Sequence, residues 1–316
     1  MLPLLAATVF ALAVNETPKV PFGAAWSEAS KAGIRATTLA LNWSQVEPKP
    51  GEYDLTWPKA AEGFYPGQGA QIGLVLRDLN TTRDERPLDL RALPYDDPKA
   101  IQRWTGMADV MLGAMPKTTF SWIAVGNEVD GVLNDDAKVA SYARFLKAAF
   151  AHLRKTRPGV RLGTCLTFDG VKARATALKP ILEAGDVAMV NYYLIDAAKR
   201  PAKTQVPRDL DAMEAFAGKK PLLLTETGAP SGTLCGSSEA AQKAFVETMM
   251  EEARKRKLPY VAFDWMNDIG EPAAGGFGTY YGTSDPAFTN YLATLGLRHE
   301  DGTPKPAWTA FTERLK

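Results

Sequence analysis

Trp122-Ile123-Ala124-Val125-Gly126-Asn127-Glu128 and Pro221-Leu222-Leu223-Leu224-Thr225-Glu226-Thr227-Gly228 decide how this chain is read. Each is a short apolar run bounded by Gly or Pro and closing on a glutamate, the pattern of a strand buried on both faces. A strand that ends this way delivers its carboxylate to the C-terminal edge of the sheet. Around these two runs the chain alternates. Further strands are predicted at Val20–Trp26, Thr37–Leu41, Ile72–Arg77, Arg161–Thr167, Val187–Tyr192 and Val261–Trp265, and amphipathic helices at Asp136–Arg157, Ala173–Ala184 and Glu239–Lys257. Continuous apolar strands alternating with helices imply a parallel sheet covered by helices. Eight of them in 316 residues predict a closed, single-domain (β/α)8 TIM barrel over residues 15–316. Arg298–Pro306 reads as a polar turn before a last helix, Ala307–Leu315.

A barrel of this kind carries its site on the C-terminal ends of the strands. Polar and aromatic residues should therefore crowd those ends, and they do: Asn42 and Trp43, Arg77 and Asp78, Asn127 and Glu128, Asp169, Asn191 with Tyr192 and Tyr193, Glu226, and Trp265 with Asn267 and Asp268. Trp43 and Trp265 are candidate sugar platforms. Asn42, Arg77, Asn127, Asn191, Tyr192, Tyr193 and Asp268 are candidate substrate contacts. Trp57, Trp104, Trp122 and Trp308 are expected to pack helices or strand starts, and Glu47 to be structural.

Composition excludes several classes. Lys+Arg 37 against Asp+Glu 36 leaves a formal charge of +1, so no field of one sign collects nucleic acid or an anionic membrane. Two histidines and two cysteines do not make a His/Cys zinc site. Cys165 and Cys235 are expected as buried free thiols, with pairing open in an oxidising compartment. Leu2–Val14 is too short to span a bilayer. It reads as an export signal ending in Ala11-Leu12-Ala13 without a basic start, or as an N-terminal strand; the first reading makes the protein secreted or periplasmic. Gly275-Gly276-Phe277-Gly278 reads as a mobile aromatic loop. Asn15, Asn42 and Asn80 begin glycosylation-type tripeptides.

Two carboxylates converging at one barrel mouth are the equipment of glycoside hydrolysis. One donates a proton to the leaving oxygen, and the other attacks the anomeric carbon or activates water. On this reading Glu128 is the acid/base and Glu226 the nucleophile. Tyr193 is a donor to the nucleophile, and Asn127 bonds a sugar hydroxyl beside the scissile bond.

The same residues carry a family resemblance. Ile123-Ala124-Val125-Gly126-Asn127-Glu128-Val129 resembles the Asn-Glu acid/base strand of clan A retaining glycoside hydrolases, above all the family 17 1,3-β-glucanases. Thr225-Glu226-Thr227-Gly228-Ala229-Pro230-Ser231 resembles that family's nucleophile segment, with Ala229 in place of a Trp. Val190-Asn191-Tyr192-Tyr193 is similar to a strand-six Tyr segment of families 17 and 53, the latter endo-β-1,4-galactanases. The segment from Trp43 to Tyr53, with Glu47, Pro48 and Gly51, resembles one found in other clan A families. The motifs cover about a tenth of the chain. There is no Arg at the second strand end and no His at any strand end. The two-glutamate chemistry needs no cofactor or metal, a monomer acting on an oligo- or polysaccharide is expected, and the resemblance implies a β-glucan first. A transglycosylase using the same two glutamates and a non-catalytic carbohydrate-binding barrel are the alternatives. An aldolase-type barrel is disfavoured, because no predicted strand ends in Lys.

Overall fold

The computed structural model describes residues 7–194 and 205–316. In chain order the strands are β1 (Val9–Leu12), β2 (Ala36–Asn42), β3 (Gln71–Asn80), β4 (Arg83–Asp84), β5 (Thr119–Asn127), β6 (Arg161–Gly163), β7 (Cys165–Thr167), β8 (Ala188–Tyr193), β9 (Leu222–Gly228) and β10 (Tyr260–Phe263). The helices are α1 (Phe22–Lys31), α2 (Trp43–Val46), α3 (Thr56–Phe64), α4 (Pro98–Gly113), α5 (Asp136–Thr156), α6 (Phe168–Ala184), α7 (Val206–Ala217), α8 (Glu239–Arg256), α9 (Gly270–Tyr281), α10 (Pro286–Ala293) and α11 (Pro306–Leu315). The described chain divides into two compact units. The first holds Thr38–Asn191 and Met213–Leu223; the second holds residues 7–37, 192–194, 205–212 and Leu224–Lys316.

In the first unit β2, β3, β5 and β6 lie side by side, with β3 and β5 and then β5 and β6 parallel. Trp122, Ile123, Ala124 and Val125 are completely buried, as the unbroken apolar run requires of a strand covered on both faces. Gly73 of β3 is where the Trp122 ring lies, so any Cβ there would collide with the indole. Helices α4 and α5 cover the outer face. Trp104 of α4 meets Phe145 of α5 edge to face, with centroids 5.8 Å apart. The expected strand Arg161–Thr167 is broken at Thr164 into β6 and β7, and β7 pairs in parallel with β8.

In the second unit β1 pairs in parallel with β10, Val9 opposite Tyr260 and Leu12 opposite Phe263. β10 neighbours β9. Helices α8 and α11 pack outside, and Phe263 meets the ring of Phe311 at 5.2 Å. Lys305, just before α11, is buried, and its ammonium reaches Asp268 at 2.7 Å.

Two expectations are corrected here. Val20–Trp26 is not a strand. Pro21 stands at the N-cap of α1, and Phe22, Ala25, Trp26 and Ala29 recur at helical spacing, with the Phe22 and Trp26 rings stacked at 6.4 Å. So short an apolar run fits either period, and length and flanks must arbitrate. The N-terminal strand is β1 instead, inside the run that also reads as an export signal. Its residues Phe10, Ala11 and Leu12 are buried, and residues 1–6 lie outside the described residues. The Gly275–Gly278 stretch is not a loop either: it lies within α9. Among the described residues no helix is long and apolar enough to cross a membrane.

Candidate active site

Glu128 sits at the C-terminal end of β5 in a turn that the local sequence makes possible. Gly126 has φ +79°, and a Cβ there would run into the Tyr142 hydroxyl and Val129. Glu128 itself is left-handed, at φ 49° and ψ 42°, a conformation that non-glycine residues rarely adopt. Neighbouring segments hold the turn. Thr81, also left-handed at φ 52°, donates its backbone N–H to the Asn127 carbonyl at 2.9 Å. Gly131 approaches the Thr81 backbone too closely for any side chain. Asp130 accepts from the Thr167 backbone N–H at 2.8 Å and from the Thr167 hydroxyl at 2.6 Å, which ties the turn to the end of β7.

The carboxylate of Glu128 is half-buried and held from both sides. Thr81 Oγ1 donates to Oε2 at 2.8 Å, and Asn191 Nδ2 donates to Oε1 at 3.3 Å. A hydroxyl can donate to an ionised carboxylate and accept from a protonated one. Thr81 therefore suits a group that must pass between the two forms. Asn191 Nδ2 also reaches Asn127 Oδ1 at 3.1 Å, and Asn127 Nδ2 donates to Asn80 Oδ1 at 3.0 Å. Three buried amides thus form a chain along the ends of β8, β5 and β3.

Glu226 belongs to the second unit, one residue short of Thr227 on β9. Alternation along the strand sends Thr225 and Thr227 into the core and leaves Glu226 half-buried on the other face. Tyr193 donates its O–H to Glu226 Oε2 at 2.9 Å. The strand ends fit tightly: a Cβ on Gly228 would come 2.8 Å from the Asp264 carbonyl oxygen and 3.4 Å from the Tyr193 ring. Trp265 follows a cis Asp264–Trp265 peptide, is half-buried, and lies 5.7 Å from the Phe277 ring on α9. Tyr193 and Trp265 share a backing of Cys235, Phe288, Tyr291 and Leu295.

The remaining sequence candidates fall elsewhere. Trp43 is 1% exposed, and its indole N–H donates to Glu47 at 2.8 Å, so it is core and not a sugar platform. Glu47 also accepts from Gly51 N–H at 2.9 Å and pairs with Arg103 at 3.0 Å, the structural role expected of it. Tyr192 faces the helix layer. Its hydroxyl donates to Asp209 at 2.8 Å and its ring meets Phe245, so it leaves the site to Tyr193 by strand alternation. Asp268 is buried against Lys305, with burial pushing its carboxyl up to about 6 against the pull of that lysine; it too is structural. Asn42 is half-buried at the end of β2 and caps α2 without a side-chain hydrogen bond. Arg77 is half-buried, and its Nε makes no hydrogen bond among the described residues. Asn80 is buried in the amide chain, which removes it as a glycosylation acceptor in the folded protein. Trp57, expected to pack helices or strand starts, lies in the first turn of α3 and is 67% exposed. Cys165 and Cys235 are free and buried.

Thr81 and Asn80 were not expected at the site. The sequence offered them only as part of a glycosylation-type tripeptide, and their role depends on β3 overrunning its apolar stretch and turning back through β4.

No family model matches the sequence, and no curated protein does so significantly. The structure does have neighbours. A GH5_18 variant from Bifidobacterium longum subsp. longum ATCC 55813, in complex with Manβ1-4GlcNAc, aligns with a TM-score of 0.72 at 17% identity, covering 97% of this chain and 77% of that one. The exo-β-1,4-mannosidase Op5Man5 from Opitutaceae bacterium strain TAV5 aligns at 0.73 and 19% identity, over 97% of this chain but only 58% of its own. A family 39 glycoside hydrolase from Bacteroides cellulosilyticus WH2 gives 0.68 at 16%, over 98% of this chain and 63% of its own. The fold is a (β/α)8 barrel. Likeness at this identity carries the fold and not the activity. The neighbours bear the names of families 5 and 39, so the expected affinity to families 17 and 53 finds no support among them.

Proposed function

We propose that this chain is a retaining glycoside hydrolase acting on a β-linked glycan. Glu128 protonates the leaving oxygen while Glu226 attacks the anomeric carbon; Glu128 then takes a proton from the water that releases the sugar from Glu226. The observation that carries the reading is the tyrosine hydrogen bond on Glu226: a strand-end carboxylate that accepts a directed phenol O–H on Oε2. The second glutamate supports it, standing in a strained turn with a hydroxyl and an amide on its two oxygens. The mechanism requires the two carboxyls to come within about 5–5.5 Å of each other when substrate is bound.

For the substrate, β-1,4-linked mannosides come ahead of the β-glucan that the sequence motifs suggest. The support is the names of the fold neighbours, one an exo-β-1,4-mannosidase and one holding Manβ1-4GlcNAc. Action outside the cytoplasm is part of the proposal and rests on the apolar N-terminus. It requires that export leave β1 attached. The test is a time course on Manβ1-4GlcNAc, mannan, 1,3-β-glucan, galactan and xylan, with the anomer of the first product read by NMR. A β-product supports retention. An α-product means inversion and removes the nucleophile role from Glu226.

A further inference from the structure

A buried carboxyl outside the chemistry described so far is packed against the turn that presents Glu128. Asp78, near the end of β3, is 1% exposed. Its Oδ1 accepts from the Tyr142 hydroxyl of α5 at 2.9 Å. Its Oδ2 is buried and has no hydrogen-bond partner among the described residues. The Tyr142 hydroxyl and Asp78 Oδ1 occupy the space where Gly126 would carry a Cβ, the carboxyl oxygen 3.3 Å from that position. Gly126 is the first left-handed residue of the turn, and Glu128 is the second.

We infer that Asp78 and Tyr142 form a positioning pair that sets the Gly126–Glu128 turn, and that the pair does this with the Asp78 carboxyl uncharged. The inference rests on the reading of Glu128 as the acid/base. Among the described residues no cation forms an ion pair with Asp78, although Arg86 is near enough to feel its charge. Tyr142 from α5 and Tyr95 from the segment before α4 offer phenols, with rings 5.3 Å apart. Asp84 of β4 adds a like charge, and Arg86 beside it is already engaged by Asp84 at 2.7 Å and by the Leu93 and Arg91 carbonyls. An ionised Asp78 would spread its charge onto Oδ2, a buried oxygen with no hydrogen-bond partner among the described residues, which is unfavourable in so dry a site. Burial, opposed by the Tyr142 hydrogen bond, pushes its carboxyl up to about 7. Ionisation therefore falls in the range where an enzyme would work, and it would loosen the turn. Tyr142 has the Val125 carbonyl oxygen as a second acceptor at 3.4 Å, and this carbonyl belongs to the strand that feeds the turn.

The test uses the full chain and needs no knowledge of the substrate. The carboxyl carbons of Asp78 and Glu128 are followed by 13C NMR from pH 4 to 9. The expected result is a second inflection in the Glu128 resonance at the Asp78 midpoint, abolished in Asp78→Asn. A Glu128 resonance blind to Asp78, with Asp78 titrating, overturns the inference and leaves the glycosidase reading standing. The inflection without turnover of any glycan keeps the pair and removes the glycosidase reading. Where a glycan is turned over, Asp78→Asn fixes the uncharged form and should move the alkaline limb of kcat up by about one pH unit. Asp78→Ala should lower kcat roughly tenfold or more with KM little changed. An alkaline limb unmoved in Asp78→Asn counts against the pair even if Asp78→Ala fails to fold.

Discussion

Tyr193 and Glu226 are joined by a hydrogen bond of 2.9 Å from the phenol to Oε2, made between the ends of β8 and β9. The two residues lie on neighbouring strands, and each is the one in its segment that alternation turns away from the helices. Of their neighbours, Thr227 donates its hydroxyl to the Tyr192 carbonyl, and Tyr192 donates its own hydroxyl to Asp209 of α7. Hydrogen bonds to charged groups contribute about 1.5–3 kcal/mol, so Tyr193→Phe should lower kcat by roughly 10- to 100-fold. Glu226→Gln should abolish turnover while ligand still binds by calorimetry; near-normal activity in that variant removes the mechanism.

Gly126→Ala should destabilise the fold severely. It combines a positive φ with a collision against Tyr142 and Val129, neither of which can retreat from the core. A loss of about 2–4 kcal/mol in urea unfolding is expected, from overpacking plus backbone strain. A loss under about 1 kcal/mol would mean that the turn relaxes freely.

Lys305→Met should also be costly, at about 3–5 kcal/mol, because it leaves Asp268 buried without its cation. Three other acceptors surround that ammonium: the Ser231 hydroxyl and the carbonyls of Gly296 and Thr294. Replacing both partners, Lys305→Met with Asp268→Leu, should recover much of the loss. If Asp268 touched substrate after all, the double variant would regain stability and still lose activity.

Stability should fall as pH rises from about 4 to 7. Asp78 is raised to about 7 in the fold, above its unfolded value near 3.9, so the folded state holds a proton that the unfolded state has lost. The contribution is complete below the unfolded value and disappears as pH passes the folded one; its full size is of the order of 4 kcal/mol. Asp268, raised to about 6, acts in the same direction. Melting temperatures across this range should drop in the wild type and drop less in Asp78→Asn. Equal slopes would mean that Asp78 titrates normally.

A chain that begins at Asn15 should fold poorly. It lacks β1, whose Ala11 and Leu12 are fully buried and whose backbone pairs with β10 along four positions. Circular dichroism and thermal melting of that chain against the full one provide the check. Equal melting would show β1 to be dispensable and would keep the reading of the apolar run before Asn15 as a cleaved signal.

Periodicity and composition by themselves carried the strand–helix alternation, seven of the eight strands, the long helices, and a glutamate at the C-terminal end of each of β5 and β9. Those signals are local: an apolar run covered on both faces, and a carboxylate at its end, can be read from neighbours in the chain. The eighth strand could not, because Val20–Trp26 and Val9–Leu12 are equally short and apolar, and only pairing with β10 separates them. Nor could the sequence say which of Trp43 and Trp265, or of Tyr192 and Tyr193, is turned inward; a shift of one residue along a strand reverses the face. Thr81, Asn80, Asp78 and Tyr142 reach the Glu128 turn from two segments far apart in sequence, the end of β3 and α5. Their convergence is a property of β3, β4 and α5 packed together, and only the tertiary structure decides it.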